Sequence, residues 1–206
     1  MLLSDTHELH REVEVPNGDI LIHSGDSTMR SESLRAIEDF NAWLGELPHR
    51  WKLCVPGNHE FFLEADPTRS SLLSNAIVLI NESINIDGLK IWGSPVTWLY
   101  GGAYGMNLPS DRKRLYAQIP EDTDVLITHG PPYGILDGTP GSDLHFGCRE
   151  LLDAVTRLEP KLHVFGHEHD GYGTFATSQT LFVNAALMGR DGDLTHRPIV
   201  VRIPRL

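Results

Sequence analysis

Two histidines separated by one residue follow an apolar run in K-L-H-V-F-G-H-E-H-D-G-Y, which spans residues 161–172. The apolar residues before Gly166 are typical of a buried strand, and the glycine lets the backbone approach a neighbour closely. If the chain stays extended there, a period of two places the imidazoles of His167 and His169 on the same side. Two imidazoles fixed at a strand end could bind a metal ion. A solvent-facing pair is the plainer alternative, so the interpretation depends on what other strands bring nearby.

Polar side chains also follow four other predicted strands, directly after each apolar run ends. A glycine immediately precedes the polar group at three of the five places. Ligands of α/β sheets bind beyond the carboxyl ends of the strands. Chance could place a polar residue after one strand, but it explains five such residues poorly. The residues concerned are Asp5, His7, Asp26, Asn58, His59, His129, His167 and His169.

These side chains supply carboxylate and amide oxygens and imidazole nitrogens, without a thiolate. This donor set suits manganese, iron, zinc or cobalt, and it differs from the cysteine ligands of a structural zinc ribbon. Seven ligand candidates and one spare histidine predict two divalent ions that share a carboxylate, with manganese as the leading candidate. Bound cations would also give a chain of net charge -11 the positive centre that a phosphate substrate needs.

The composition narrows the class of protein. A chain of 206 residues with 40% hydrophobic residues can form one domain with a sizeable core, so we expect a single domain over residues 1–206. The net charge of -11 argues against long nucleic acids as partners, because their phosphates are neutralised by Lys and Arg. No apolar run approaches the roughly 18 residues that span a bilayer, and the first residues lack the features of a signal peptide. We therefore expect a cytoplasmic protein without a membrane partner, in which Cys54 and Cys148 are buried free thiols.

Alternating strands and helices, followed by a run of strands, predict an α/β sandwich with sheets packed between helices. Helices are predicted over residues 33–47, 66–73, 111–118 and 147–158. Strands are predicted over residues 1–4, 19–23, 51–55, 76–80, 84–86, 89–92, 124–128, 162–165, 174–176, 180–183 and 199–203. The first strand begins at the first residue, so either this strand is short or the chain starts late.

D-T-H, G-D, G-N-H-E, T-H-G and G-H-E-H, in this order, resemble the motifs of the calcineurin-like metallophosphoesterase superfamily. Longer runs, such as F-N-A-W-L-G-E-L-P and K-L-H-V-F-G-H-E-H-D-G-Y-G, are similar to its metallophosphoesterase domain-containing proteins and class III cyclic-nucleotide phosphodiesterases. The resemblance covers essentially the whole chain. It implies an α/β fold of the four-layer αββα type, with two mixed sheets flanked by helices.

The resemblance also implies a role for each motif residue. Two sets of side chains would each hold one ion: Asp5, His7 and His169 the first, and Asn58, His129 and His167 the second. Asp26 would bridge the two ions. His59 would lie near the leaving group, either as the general acid or as a hydrogen-bonding contact only. The implied reaction is hydrolysis of a small nucleotide phosphodiester, cyclic or linear, by a water that the two ions activate.

Some residues could contact the substrate rather than the metals. The candidates are Asn58, His59, Trp98, His145 and Asn184. Trp98 lies in a loop with Tyr100 and Tyr104, whose rings could stack on a nucleobase or cover the edge of a sheet. His145 and Asn184 could alternatively support the metal ligands from behind.

One position departs from the family pattern. Many members carry an acidic residue three positions after the bridging aspartate, where it orients the catalytic histidine, and this chain has Met29 there. The partner of His59 must then come from elsewhere, with Glu32 and Glu60 as candidates, or be absent. Without such a partner the protein could be a metal-retaining nucleotide-binding or scaffold protein with little turnover. Both histidines of G-H-E-H are present, which favours an enzyme, and the oligomeric state stays open, a homodimer included.

Overall fold

Ten strands and four α-helices alternate along residues 1–29, 33–98 and 101–203, which the computed structural model of this protein describes. The strands are Leu2–Leu3 (β1), Ile20–His23 (β2), Trp51–Cys54 (β3), Ile77–Val78 (β4), Glu82–Ile86 (β5), Leu89–Ser94 (β6), Val125–Thr128 (β7), Leu162–Phe165 (β8), Gly173–Ala176 (β9) and Leu181–Asn184 (β10). The helices are Leu34–Glu46 (α1), Phe61–Glu64 (α2), Pro109–Tyr116 (α3) and Arg149–Leu158 (α4). Short 3₁₀ turns lie at His10–Glu12, Pro67–Leu72 and His169–Gly171.

The strands form two sheets. The first is parallel and has the order β1-β2-β3-β4. The second has the order β5-β6-β7-β8-β10-β9, with parallel pairing from β6 to β10 and antiparallel pairs at both edges. An isolated antiparallel bridge joins Leu2 to Ile199 beside β1. These sheets and their helices confirm the α/β class, but only the second sheet is mixed, because the named strands of the first all pair in parallel.

Side chains on opposite faces of the strands pack into different apolar clusters, as a period of two requires. In β8, Val164 packs between the sheets in a cluster that includes Leu53 of β3. Phe165 belongs instead to a cluster with residues of α3 and α4. On the outer face of the first sheet, Leu21 clusters with residues of α1. Three clusters therefore separate four layers in the order helix, sheet, sheet, helix, and the αββα sandwich is confirmed.

Helix α1 covers the first sheet with one apolar face. Its buried residues recur at steps of three, three and one: Ile37, Phe40, Trp43 and Leu44. The ring of Trp43 stacks on that of Phe40 with centroids 5.6 Å apart, so this tryptophan fills the core. Pro48 follows the end of the helix, where its missing N–H and fixed φ prevent continuation.

One predicted strand is wrong, and one predicted helix is of the 3₁₀ type. In residues 199–203 the described chain forms the single bridge from Ile199 to Leu2 rather than a strand. β1 spans only Leu2–Leu3, so residues 199–203 have a short strand beside them to pair with. The predicted helix over residues 66–73 is the 3₁₀ turn Pro67–Leu72.

Two expectations drawn from composition can be compared with the structure. Cys54 and Cys148 are both buried free thiols, and burial raises the pKa of each, that of Cys148 to about 11. Such thiols are poor nucleophiles and metal ligands. Within the described ranges, no helix has both the length and the apolar character that crossing a bilayer requires.

His163 of β8 is completely buried behind the strand end that carries His129. Its Nε2 lies 2.9 Å from Thr128 Oγ1, and that hydroxyl donates its own proton to the Gly130 carbonyl at 2.7 Å. Nε2 is therefore the protonated nitrogen, and Nδ1 is buried without a partner in the described structure. Burial lowers the pKa of His163 to about 3.

Because His163 is buried in its neutral form, we expect the free energy of unfolding to fall in acid. The unfolded chain binds a proton on His163 below about pH 6.5, whereas the folded protein binds it near pH 3, so the free energy of unfolding falls as the pH drops between these values. The contribution is about 1.4 kcal/mol per pH unit. We expect His163→Phe, which keeps an aromatic ring, to lose less stability on acidification than the parent. Urea unfolding at a series of pH values measures this, and equal pH slopes for both proteins would contradict it.

Candidate metal centre

All seven predicted metal ligands and His59 lie together, in loops at the carboxyl ends of parallel strands from both sheets. The ligand atoms form three overlapping groups, within each of which they lie within 4.8 Å of one another. The groups are Asp5 with His7 and His169, His7 with Asp26 and His59, and Asp26 with His129 and His167. Asn58 adds an amide oxygen to the last group, 2.8 Å from His129 Nε2 and 2.7 Å from His167 Nδ1.

Asp26 lies between the two outer groups and presents one carboxylate oxygen to each. Oδ2 is 3.7 Å from His7 Nε2, and Oδ1 is 3.3 Å from His129 Nε2. The backbone N–H of His59 donates to Oδ1 at 2.9 Å and fixes the carboxylate. Burial acts to raise the pKa of Asp26, but the neighbouring His129 outweighs it and holds that pKa at about 2. An ionised carboxylate in this position can be shared by two cations.

The hydrogen bonds of His129 show that its Nε2 needs a positively charged partner. Its Nδ1 lies 2.9 Å from the Ser24 carbonyl, which can only accept, so Nδ1 carries a proton. In the neutral ring Nε2 then presents a lone pair to the oxygens of Asn58 and Asp26, at 2.8 and 3.3 Å. Burial acts to lower the pKa of His129, but the charge of Asp26 outweighs it and raises that pKa to about 10. A positive charge, either a proton or a metal ion, is therefore required at Nε2.

In the other outer group, the Nε2 of His7 also needs a positively charged partner. Its Nδ1 lies 3.2 Å from the Thr28 carbonyl and donates to it, which leaves Nε2 unprotonated. Nε2 is buried without a hydrogen-bond partner in the described structure and faces oxygens of Asp5 and Asp26 at 4.0 and 3.7 Å. Unpaired buried nitrogens of this kind are costly, and a cation between nitrogen and oxygens would satisfy all of them. The residues present therefore fit a pair of divalent metal ions.

The backbone at the ligands is not extended, contrary to the prediction from the period of two. Asp5, His7, Asp26 and His167 have φ values of 54, 41, 53 and 69°, in the left-handed region that non-glycine residues rarely adopt. The two histidines of G-H-E-H consequently belong to different groups, His167 with Asp26 and His169 with Asp5. Hydrogen bonds from His167 N to both Asp5 oxygens, at 3.1 and 3.0 Å, hold this turn.

Two motif glycines are required by close approach. A Cβ at Gly166 would lie 2.1 Å from Asp5 Oδ2, and one at Gly25 would lie 2.1 Å from His129 Nδ1. Gly25 also has a φ of 117°, which side-chain-bearing residues avoid. The glycines therefore let the ligands of different strands reach one another.

His59 has a partner that the sequence could not identify. Its Nδ1 donates a hydrogen bond to the backbone carbonyl of Met29, so the residue without an acidic side chain still orients the imidazole. Nε2 lies 3.9 Å from Asp26 Oδ2, on the metal side of the ring, and the side chain is 30% exposed. Glu60 does not bind the imidazole of His59, and Glu32 lies outside the described residues.

The proposed substrate contacts differ in what their polar atoms do. Asn184 is fully buried, and its Nδ2 donates to the carbonyls of Leu136 and Glu168 at 3.0 and 2.8 Å, which supports the G-H-E-H turn from behind. The indole N–H of Trp98 donates to the Phe146 carbonyl at 2.6 Å, so its polar edge is occupied within the protein.

His145 leaves one nitrogen available. Its Nδ1 lies 2.8 Å from the buried carboxylate of Asp137, while the side chain is 35% exposed. Of the other loop aromatics, Tyr104 has a left-handed backbone with φ 56°, and Tyr100 lies outside the described residues. Ala103, the neighbour of Tyr104, donates a backbone hydrogen bond to the Asn58 carbonyl at 2.9 Å, so this loop is anchored beside the candidate ligands.

Comparisons with known proteins agree with this geometry. The family model for calcineurin-like phosphoesterases matches residues 2–171. The chain belongs to the calcineurin-like phosphoesterase family. It is 39% identical to human metallophosphoesterase domain-containing protein 1 over 233 residues, which cover 98% of this chain and 70% of the relative. A UPF0046 protein of Caenorhabditis elegans is 36% identical over 218 residues, covering 98% of this chain and 74% of the relative.

The fold is shared with more distant proteins. The crystal structure of TT1561 of Thermus thermophilus has a TM-score of 0.62 at 13% identity, covering 89% of this chain and 86% of that one. Membership of the phosphoesterase family supports metal-dependent hydrolysis of a phosphoester, and the His and Asp groups are candidate sites for divalent metals.

Glu60, one of the two candidate partners of His59, instead connects the loops that carry the candidate ligands. It is 1% exposed, and its carboxylate accepts backbone hydrogen bonds from Asp26 at 3.0 Å, from Thr28 at 2.9 Å and from Gly57. The hydroxyls of Ser27 and Thr28 donate to it as well. One carboxylate thus ties the loop after β2 to the loop after β3. Its position directly after Asn58 and His59 is the sequence signal for this role, because a carboxyl group buried there requires hydrogen-bond donors from the surrounding loops.

We expect Glu60→Gln to unfold more easily, because an amide NH₂ would face N–H donors that now have an acceptor. The free energy of unfolding should fall by about 2–4 kcal/mol. Glu38→Gln, on the exposed face of α1, should change it by less than about 0.5 kcal/mol. Urea denaturation of both variants measures the difference, and equal stabilities would show that the Glu60 bonds contribute nothing.

We also expect the metal-free phosphoesterase to gain thermal stability with Mn²⁺, because an ion that binds only the folded state stabilises it. At a free concentration 100 times the dissociation constant the gain is about 2.7 kcal/mol. His129→Ala and His169→Ala, from different groups, should each retain one ion where the parent binds two. Thermal melts and elemental analysis measure both effects, and an unchanged melting temperature at saturating metal would oppose a metal centre.

Proposed function

We propose that this protein is a dinuclear metal-dependent phosphodiesterase that hydrolyses a small nucleotide phosphodiester, cyclic or linear. The family supports phosphoester hydrolysis with metals, and the diester and nucleotide specificity goes beyond it. The observation that carries the proposal is the shared carboxylate of Asp26 beside a histidine, His59, that belongs to neither outer ligand group.

The ligand sets follow from the two outer groups. Asp5, His7 and His169 would hold one ion, Asn58, His129 and His167 the other, and Asp26 would bridge them. Two divalent ions, when bound, neutralise the charge of a phosphodiester and lower the pKa of an attacking water. The Thr28 and Ser24 carbonyls fix the Nδ1–H tautomers of His7 and His129, which would leave both Nε2 lone pairs available to the ions.

His59 is the proposed general acid. A phosphodiester releases an alkoxide, which needs a proton at neutral pH, and a positioned histidine typically contributes about 10²–10⁴-fold to the rate. The Met29 carbonyl fixes Nδ1, so the proton for the leaving group would come from Nε2 on the side of Asp26. Asn58, His59 and the free nitrogen of His145 are the proposed polar contacts of the substrate, while Trp98 and Asn184 would act by supporting loops.

The substrate should be small. The net charge of -11 opposes binding of long polyanions, whereas a mononucleotide needs only a local positive centre. The alternative of a metal-retaining nucleotide-binding or scaffold protein depended on the absence of a partner for His59. The bond to the Met29 carbonyl removes that reason and favours the enzyme.

The deciding experiment compares diester and monoester substrates on protein stripped with EDTA and reloaded with Mn²⁺. We expect hydrolysis of bis(p-nitrophenyl) phosphate and of a 3′,5′-cyclic nucleotide, and slower hydrolysis of p-nitrophenyl phosphate. His59→Ala should lose about 10²–10⁴-fold in kcat on the cyclic nucleotide and keep its metal. Asp26→Ala should lose both activity and metal.

Two outcomes would overturn the proposal. A metal-loaded protein that hydrolyses no diester but binds a nucleoside monophosphate tightly would be the scaffold protein. A protein that hydrolyses only monoesters would be a phosphatase.

A further inference from the structure

Glu8 follows the D-T-H motif, and its carboxylate reaches the backbone that orients His59. Glu8 Oε1 accepts a hydrogen bond from the Met29 N–H at 3.1 Å. The Met29 carbonyl accepts one from His59 Nδ1. A single residue, Met29, therefore connects the carboxylate to the imidazole through its two peptide groups.

This contact extends an ordered series between two loops. Three backbone N–H groups of residues 5–8 donate to carbonyls of residues 25–27, at 2.9, 3.0 and 2.9 Å. His7 Nδ1 continues the series at the Thr28 carbonyl, at 3.2 Å. The Glu8 side chain adds the next contact, at Met29. Because each bond advances along the second loop, the Glu8 contact holds Met29 in line with the residues before it.

The backbone of Glu8 is itself constrained. Its φ of 68° lies in the left-handed region, which a glutamate adopts rarely and at a cost. Glu8 is exposed, so burial of its side chain does not explain the conformation. The conformation does bring the carboxylate to Met29 N. Strained residues cluster at functional sites, and here the strained residue contacts Met29, whose carbonyl orients His59.

We infer that Glu8 is a positioning residue for His59, which it orients through Met29. The inference rests on the proposed function, in which His59 protonates the leaving group. Position 29 has no carboxylate of its own, so a carboxylate from a different loop holds the N–H of the residue whose carbonyl binds His59 instead. Loss of Glu8 should then impair protonation of the leaving group and leave metal binding intact.

Leaving-group dependence separates this role from a general structural one. A good leaving group such as p-nitrophenolate needs little protonation, whereas a phenolate or an alkoxide needs it. The substrates are methyl aryl phosphates that range from p-nitrophenol to unsubstituted phenol, assayed with the Mn²⁺-loaded enzyme. We expect Glu8→Ala to lower kcat on the phenyl ester by about 3- to 10-fold, the effect of one net hydrogen bond. On the p-nitrophenyl ester it should lower kcat less than about 2-fold.

Two further variants define the mechanism. Glu8→Gln keeps an acceptor oxygen and should restore the parent's dependence on the leaving group, while Glu14→Ala removes another exposed carboxylate and should behave like the parent. In a His59→Ala background, Glu8→Ala should have no added effect, because a residue that acts only through His59 is silent once that histidine is gone.

The outcomes are distinct. If Glu8→Ala slows all esters equally, or slows His59→Ala further, Glu8 does not act by positioning His59. The same conclusion follows if Glu8→Ala matches the parent on every ester, or if its metal content falls. If the parent protein hydrolyses no diester at all, the proposed function fails instead.

Discussion

Imidazole nitrogens and ionised carboxylate oxygens face one another across a buried site, and this arrangement requires a positive charge between them. His129 is the clearest case, because its Nδ1 donates a hydrogen bond to the Ser24 carbonyl and its Nε2 faces the oxygens of Asn58 and Asp26, where it must bind either a proton or a metal ion. His7 repeats the arrangement beside Asp5. Removing these groups from water costs free energy that only close, opposite charge offsets. The strands, glycines and backbone turns around the site all serve to bring these donors together.

The fold supplies the site by ending parallel strands of two sheets at one edge, and local bonds supply the precision. Left-handed residues at Asp5, Asp26 and His167 are strained, and hydrogen bonds across the loops offset that strain. Glu60 holds the loops after β2 and β3 together by accepting backbone hydrogen bonds from both. Because one buried carboxylate serves two ligand-bearing loops, stability and metal binding are coupled at this point.

The alternation of strands and helices predicted an α/β sandwich, and the polar residues after the strands predicted the candidate ligands, since both depend on local sequence. The turn at His167 was not predictable, because its left-handed backbone depends on bonds to Asp5, which is distant in sequence. The partner of His59 was missed for a different reason. A backbone carbonyl binds it, and Met29 offers that group whatever its side chain is. The single bridge at Ile199 likewise reflects the length of the neighbouring strand rather than its own apolar residues.

The most direct measurement is anomalous diffraction from crystals of the protein grown with Mn²⁺. We expect two anomalous peaks about 3.5–4 Å apart, one beside His7 and His169 and one beside His129 and His167, with the Asp26 carboxylate between them. A single peak, or peaks away from Asp26, would contradict the claim that one shared carboxylate holds two ions.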